Sequence, residues 1–210
     1  MRILVCVLCD RERQFWVNPE LVLNLLAMAQ DARHEVGVHM VSRWPVEHAR
    51  NACVVAAREA GVDWLLMVDN DQSFRDNPLD ALKGVPDDAS VLCLPYMRVE
   101  DGGGPRLTIW GKYEPWDDSF AEIDTGDAGA MFVHRVVWDA IKGPWFEQEY
   151  DDTELHQVTL AEGHHFCKAV REEGGRIFAH RRISSRHHWT VELGEVSDWI
   201  GPNKIATLSL

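Results

Sequence analysis

The spacing of apolar and polar residues predicts alternating strands and helices in the first part of the chain. Continuous apolar runs are typical of strands buried on both faces, and apolar residues three and four apart indicate helices. Asn18-Pro19 can begin a helix, and Gly61 can end one. The predicted strands are residues 3–8, 36–41, 64–68 and 91–94, and the predicted helices are 19–32, 45–60 and 77–84. This β-α-β-α-β-α-β order predicts a parallel sheet with helices on its faces.

The pattern changes near residue 100 to short apolar segments separated by turns. Two of the predicted strands, 107–110 and 120–123, are short and are expected to be antiparallel. The other predicted elements are strands at 130–133 and 176–179 and helices at 136–141 and 160–173. We expect the two parts of the chain to be halves of one sheet.

Composition excludes several classes of protein. The 210 residues are 46% hydrophobic, which is enough for a sizeable core and argues against global disorder. The net charge of -13 disfavours an extended nucleic-acid or anionic-membrane surface. The rapidly polar start predicts no signal peptide, and no apolar stretch reaches the length of a membrane span. We therefore expect a soluble, cytoplasmic protein.

The five cysteines indicate buried, reduced thiols. Their number is odd, they are dispersed, and most lie in apolar runs. Cys6 and Cys9 have the spacing of a redox or zinc pair, but they fall on one predicted strand. Residues three apart on a strand point to opposite faces, which argues against a paired function.

Asp69-Asn70-Asp71, directly after the strand at 64–68, is the main candidate for chemistry. In open α/β sheets, ligands bind beyond the carboxyl ends of the strands. Two carboxylates two residues apart can share a cation, and oxygen ligands suit Mg²⁺ or Mn²⁺, which keep positions open for phosphates. The alternative is a polar turn, because Asp and Asn are common turn residues.

Neighbouring residues extend this pattern into a resemblance to a known family. Ala49-Arg50-Asn51, the strand leading into Asp69-Asn70-Asp71, and Phe74 resemble the GT-A glycosyltransferases, most closely the short family-2-like type of phages and bacteria. Later segments are similar to further motifs of that family, in the same order, over about residues 3–190. These segments are 126–133 with Arg135, Pro144-Trp145-Phe146, Glu162-Gly163-His164-His165-Phe166-Cys167 and His187-His188.

The resemblance implies a fold and an activity. The fold is a single GT-A domain over 1–210, with a mostly parallel central sheet, helices on both faces and a small antiparallel element in the second half. Residues 1–98 are expected to bind nucleotide and metal, 99–190 to form the acceptor side, and 191–210 to be a tail. The implied activity moves a sugar from a UDP- or GDP-sugar, with Mn²⁺ or Mg²⁺, to a hydroxyl of a glycan, small molecule, protein or modified nucleobase.

The resemblance also assigns roles to individual residues. Asp69 and Asp71 are the expected metal ligands, with His188 favoured over His187 as the third. The expected contacts to the nucleotide and its phosphates are Cys9, Asp10, Arg11, Arg50 and Asn70. Several of the nine tryptophans lie in the second half: Trp110, Trp116, Trp145 and Trp189. Aromatic faces suit sugar or base stacking, although core packing explains most of the tryptophans.

One departure from the family pattern leaves the catalytic base open. Where the family has an Asp, this chain has Gly163. Glu162 and Asp127 are the remaining candidates to take the acceptor proton, and in a retaining reaction the departing phosphate takes it instead. The sequence therefore does not decide between inversion and retention.

Two other functions are compatible with the same elements. A nucleotidyltransferase is disfavoured because residues 9–15 lack the glycine of a phosphate-binding loop. A nucleotide- or sugar-binding protein that has lost catalysis is compatible with Gly163.

Overall fold

A computed structural model describes residues 1–9, 16–42, 45–99, 105–151 and 158–188. Asp10, Arg11 and Trp189 lie outside the described residues. The helices are α1 (Pro19–Ala29), α2 (Val46–Ala60), α3 (Arg135–Ala140) and α4 (Glu162–Glu172), with a 3₁₀ helix at Pro78–Leu82. The strands are β1 (Arg2–Leu8), β2 (Glu35–Val41), β3 (Trp64–Asp69), β4 (Gln72–Phe74), β5 (Ala89–Cys93), β6 (Met97–Val99), β7 (Pro105–Leu107), β8 (Ile109–Pro115), β9 (Phe120–Gly126), β10 (Ala130–His134), β11 (Glu149–Tyr150), β12 (Val158–Leu160), β13 (Arg176–His180) and β14 (Ser185–His187). None of the helices in these ranges is long and apolar enough to cross a membrane.

Eight strands form one sheet in the order β2-β1-β3-β10-β5-β13-β9-β8. Six run in one direction, and β9 and β10 run the opposite way. The predicted strands at 64–68 and 91–94 are not neighbours, because β10 inserts antiparallel between β3 and β5. The four strands predicted in the first part of the chain run in the same direction, as expected, and the antiparallel β10 lies between two of them.

The core lies on both faces of the sheet, as the continuous apolar runs predict. Along β1, alternate side chains enter two different clusters: Ile3 lies with α1, and Leu4 lies with α2, α3 and α4. Cys6 and Cys9 belong to opposite clusters, which confirms that they point to opposite faces. All five cysteines are buried and unpaired.

A small two-stranded sheet carries the end of the described chain to the carboxyl end of β3. β14 pairs antiparallel with β4, and this register places His187 opposite Gln72. Gln72 directly follows the Asp69-Asn70-Asp71 turn, so the pairing brings His187 beside the aspartates. β14 has only three residues and was not predicted from the sequence.

His180 fixes the start of the connection from β13 to β14. Its ring packs against Phe120, and its Nδ1 accepts hydrogen bonds from the backbone N–H groups of Arg182 (3.1 Å) and Ile183 (2.8 Å). Burial, with a smaller effect of the Arg182 charge, lowers the pKa of His180 below its ordinary value of about 6.5. Protonation would also remove the acceptor at Nδ1.

We therefore expect acid to destabilise this connection. Because its folded-state pKa is lowered, the neutral form of His180 stabilises the fold above about pH 6.5, and this contribution is lost as the pH falls. His180→Asn keeps an acceptor near the position of Nδ1 but cannot titrate. Urea unfolding between about pH 7.5 and about pH 5 should show a smaller loss of unfolding free energy in the variant than in the wild type. Equal losses in both proteins would contradict this prediction.

Candidate active site

Asp71 and His187 are in contact at the carboxyl end of β3. His187 Nε2 lies 3.1 Å from Asp71 Oδ2, and the backbone N–H of His188 donates to the Asp71 carbonyl at 2.8 Å. The Asp71 Oδ1 atom is buried and has no hydrogen-bond partner among the described residues. A buried carboxylate oxygen without a partner is costly unless a ligand completes it.

The neighbouring histidine has a different environment, which does not fit the expectation that His188 joins the aspartates. His188 Nε2 lies 2.6 Å from Ser73 Oγ and 3.7 Å from Glu20 Oε2. Successive residues of a strand point to opposite faces, so when His187 faces Asp71, His188 faces the other side. We therefore replace His188 by His187 in the candidate site.

Arg50 lies at the centre of a buried ionic cluster. Its Nη2 contacts Asp69 Oδ1 and Oδ2 at 3.2 and 3.3 Å, its Nε donates to Glu162 Oε1 at 3.1 Å, and its Nη1 donates to the Ala128 carbonyl at 2.8 Å. The Arg50 side chain is 3% exposed. The guanidinium thus has protein partners, although the sequence analysis had assigned Arg50 to the nucleotide.

The same cluster shifts the acidity of Asp69. Burial raises its pKa to about 6, the Asp127 and Asp71 charges act in the same direction, and Arg50 partly offsets them. An ionised Asp69 is therefore held in a site where other negative charges are close. Added positive charge at this site would favour the ionised form.

Asn51 joins two of the segments that resemble the family motifs, 49–51 and 144–146. Its Oδ1 accepts from the backbone N–H groups of Trp145 (2.8 Å) and Phe146 (3.1 Å). Its Nδ2 donates to the carbonyls of Phe146 (2.7 Å) and Glu47 (2.8 Å). All the hydrogen-bonding groups of this amide are used, so Asn51 fixes α2, and Arg50 with it, against the 144–146 segment.

Asp127 lies close to the cluster, in the connection from β9 to β10. Its Oδ2 accepts from the Tyr96 hydroxyl at 2.7 Å, and its Oδ1 accepts from the Ala128 N–H at 2.8 Å. Burial and the nearby Asp127 and Asp69 charges raise the pKa of Tyr96, so this hydroxyl stays a donor. Tyr96 therefore fixes the orientation of Asp127, a role the sequence analysis did not identify.

Glu162 is the first residue of α4, and its neighbour Gly163 allows α4 to approach the β9–β10 connection. A Cβ added to Gly163 would lie 3.2 Å from the Ala128 backbone nitrogen and 3.5 Å from the Gly126 carbonyl oxygen. The contact to the Ala128 nitrogen is tighter than most Cβ atoms make, so a side chain here would require the backbone to shift, which gives a packing reason for glycine where the resemblance expects Asp. The carboxylate next to it, Glu162, is paired with Arg50.

These groups line a half-open cavity of about 520 Å³. Three carboxylates and several aromatic rings face it, and its lining consists of Arg50, Asp69, Tyr96, Trp110, Asp127, Ala161, Glu162, Gly163, His164 and His187. Both residues proposed from the sequence as candidate bases, Glu162 and Asp127, thus share a cavity with one of the expected metal ligands, Asp69.

Two of the residues expected to contact the nucleotide, Cys9 and Asn70, are buried and directed to the protein backbone. Cys9 is buried, with its thiol directed to the Val7 carbonyl, and burial raises the pKa of this thiol. Asn70 is also buried, and its amide donates to the Trp16 carbonyl at 2.5 Å. Both side chains therefore stabilise the ends of β1 and β3. Asp10 and Arg11 lie outside the described residues.

The side chains at the carboxyl end of β3 can be compared with the ligands that a divalent ion needs. Within the described ranges, no group of three or more His, Cys, Asp or Glu residues is arranged to hold a metal. The Asp71–His187 pair offers one carboxylate, with a partnerless buried oxygen, and one imidazole. Mg²⁺ and Mn²⁺ are commonly held by one or two protein groups and completed by substrate phosphates. The residues fit such an open site and do not fit a closed, all-protein one.

Gln72 is a buried amide that the sequence analysis missed. It is 0% exposed, and neither atom of its amide has a hydrogen-bond partner among the described residues. The nearby Asn24 amide differs, because it both donates to and accepts from the backbone of Phe74 at 3.0 and 2.9 Å.

The two amides predict opposite effects of apolar substitution. Gln72→Met should raise the free energy of unfolding of the ligand-free protein by about 1 kcal/mol, because it removes an unsatisfied buried group. Asn24→Leu should lower it by about 1–3 kcal/mol, because it leaves the Phe74 backbone unpaired. Urea unfolding of both variants measures the difference, and a destabilised Gln72→Met would show that the amide has a partner in solution.

Comparison with known proteins shows the fold. The structure is similar to A197 from STIV (TM-score 0.59, 16% identity, 90% of this chain and 87% of that one). It is also similar to GalNAc-T7 with UDP, GalNAc and Mn²⁺ (TM-score 0.53, 11% identity, 91% of this chain and 44% of that one). A weaker likeness is to a glycosyltransferase involved in glycosylation of the major capsid of PBCV-1 (TM-score 0.42, 13% identity, 93% and 98%). No family model matches the sequence, and no curated protein matches it.

The expected fold class is confirmed: the chain has the GT-A fold, with a large, mostly parallel central sheet, and its structure is similar to that of GalNAc-T7. The chain spans less than half the length of the GalNAc-T7 structure.

Proposed function

We propose that this protein is a metal-dependent glycosyltransferase that uses a UDP- or GDP-sugar as donor, of the short family-2-like type. The observation that carries the proposal is the contact between Asp71 and His187 beside the acidic cavity, at the carboxyl end of β3. A similar structure, GalNAc-T7, holds UDP, GalNAc and Mn²⁺ on the same fold.

In this proposal each group has a distinct role. Asp71 and His187 hold the divalent ion, which when bound supplies positive charge against the departing diphosphate. Asp69, kept in place by Arg50, adds a carboxylate on the donor side of the cavity. The bond from the sugar C1 to the diphosphate oxygen breaks, and a bond from the acceptor oxygen to C1 forms. The acceptor proton passes to a carboxylate or to the departing diphosphate.

Nucleotide binding is the direct test. Thermal unfolding is measured with UDP and with GDP, each with and without Mn²⁺. We expect one of the nucleotides to raise the midpoint only when Mn²⁺ is present. A nucleotide shift of equal size without metal, or no shift with either nucleotide, would contradict the proposal.

The two alternative functions predict other products. A binding protein without catalysis gives the Mn²⁺-dependent shift but releases no free sugar from UDP- or GDP-sugars. A nucleotidyltransferase forms pyrophosphate from a nucleoside triphosphate and a sugar phosphate. Assays of both products distinguish these outcomes from sugar transfer.

Glu162→Gln tests the candidate base. If Glu162 takes the acceptor proton, the variant should retain Mn²⁺-dependent nucleotide binding while hydrolysis of the sugar donor falls by about a hundredfold or more. The matched control is Glu172→Gln at the exposed end of α4, which should hydrolyse donor at the wild-type rate. Unaltered hydrolysis in Glu162→Gln would leave Asp127 or the departing diphosphate as the proton acceptor.

A further inference from the structure

One part of the cavity is lined by aromatic rings that the proposed donor chemistry does not use. Trp110 of β8 and His164 of α4 have ring centroids 4.5 Å apart at an angle of 61°. Both side chains line the cavity and are half-buried, so part of each ring is accessible. β8 is the last strand of the sheet, six positions from β1, whose end is expected to lie under the nucleotide. The Trp110–His164 pair is therefore on the β8 side of the sheet, away from the strand end at which we expect the nucleotide.

The backbone beside Trp110 has a bulge. The register between β8 and β9 shifts between Trp110 and Tyr113, and Gly111 has a φ of +79°. A Cβ at Gly111 would lie 2.4 Å from Asp124 Oδ2, the atom that accepts the Lys112 N–H at 2.8 Å. Bulges near sites redirect the adjacent side chain. Trp110 lies at this bulge and belongs to neither buried cluster, and its ring contacts His164 instead.

The charge of the cavity restricts what can bind beside these rings. Asp69, Asp127 and Glu162 line it, and Arg50 is already paired with two of them. An anionic ligand would be repelled unless a cation accompanied it. A neutral ligand rich in hydroxyl groups can instead donate hydrogen bonds to the carboxylate oxygens.

We propose that Trp110 and His164 form a stacking subsite for an uncharged pyranose, which is the acceptor of the transfer. The inference rests on the proposed function, since it assigns the acceptor side of that same cavity. The apolar face of the sugar ring lies against Trp110, and the sugar hydroxyls point towards Asp127 and Glu162. A uronic acid or a sugar phosphate is disfavoured by the same carboxylates.

The test follows the indole N–H signals of ¹⁵N-labelled protein by NMR. The probes are the methyl β-glycosides of glucose, galactose and N-acetylglucosamine and, as the matched anion, methyl β-glucuronide. The Trp110 signal is identified by its loss in Trp110→Phe. We expect at least one neutral glycoside to shift it in a saturable way, and the glucuronide to bind about tenfold more weakly or worse. Trp116, exposed at the end of β8 and outside the cavity, is the internal control whose signal should not move.

A second variant tests the stacking itself. Trp110→Ala should weaken binding of the neutral glycoside by about tenfold, and Trp110→Phe by less, because only the alanine removes the aromatic face. Saturation-transfer signals of the glycoside measure both. Equal affinities in the wild type and Trp110→Ala would overturn the subsite.

The remaining outcomes separate this inference from the proposed function. If UDP or GDP binds with Mn²⁺ but no neutral glycoside shifts Trp110, or the glucuronide shifts it equally, the subsite is overturned and the donor site stands. If a neutral glycoside shifts Trp110 and no nucleotide binds with Mn²⁺, the carbohydrate subsite stands and its role as an acceptor site in transfer is overturned.

Discussion

Asp71→Asn is expected to abolish Mn²⁺-dependent nucleotide binding and to lower sugar-donor turnover by about a thousandfold or more. The substitution keeps the shape of the side chain, but it removes the charge and gives His187 an amide neighbour in place of a carboxylate. Charge stabilisation by a bound cation is worth several kcal/mol, and each 1.4 kcal/mol, roughly, is a factor of ten in rate. The measurements are nucleotide titration calorimetry with and without Mn²⁺ and release of free sugar from the donor.

The chain offers close controls for this prediction. Asp76→Asn changes the same kind of residue in the exposed turn after β4 and should leave both measurements at the wild-type level. His187→Ala should reproduce the defect of Asp71→Asn, whereas His188→Ala should retain Mn²⁺-dependent binding because its ring contacts Ser73. A His188→Ala variant that loses binding while His187→Ala keeps it would restore the assignment made from the sequence.

The second large effect concerns stability. Arg50→Met is expected to lower the free energy of unfolding by about 3–5 kcal/mol, because removing one partner leaves buried charges uncompensated. Asp69 and Glu162 both lose their cation, and the Ala128 carbonyl loses its donor. Since Asp69 and Glu162 are less buried than Arg50 (28% and 11% against 3% of the side chain exposed), water will partly relieve the loss. Urea unfolding at neutral pH measures the change.

Two further variants show whether charge is the cause. Arg58→Met, at the exposed end of the same helix, should change the unfolding free energy by less than about 0.5 kcal/mol. Adding Asp69→Asn and Glu162→Gln to Arg50→Met should recover part of the lost stability, because neither former partner of Arg50 then carries a charge. A triple variant no more stable than Arg50→Met would show that Arg50 acts through packing.

Much of the fold follows from local sequence signals. The apolar runs of β1 and β3, the Asn18 cap and the helix stop at Gly61 each depend on residues close together in sequence, and the structure has all of them. Which strands become neighbours depends on distant residues. β10 is as apolar as a parallel strand, since it is buried on both faces, so its pattern does not reveal that it runs antiparallel between β3 and β5.

The candidate site was also predictable only where it depends on residues close together in sequence. The position of Asp69 and Asp71 follows from the end of a buried strand, because chain order alone places them there. The choice between His187 and His188 depends on the face that a three-residue strand presents, which only its pairing with β4 determines. Arg50 and Glu162 are 112 positions apart, and no local pattern indicates that they form an ion pair.

The most direct test of the account is the position of manganese in crystals grown with UDP or GDP and Mn²⁺, from its anomalous scattering. The account predicts a peak within coordination distance of an Asp71 carboxylate oxygen and a His187 ring nitrogen, with diphosphate oxygens as further ligands. An anomalous peak elsewhere, or bound nucleotide with no manganese at Asp71 and His187, would contradict it.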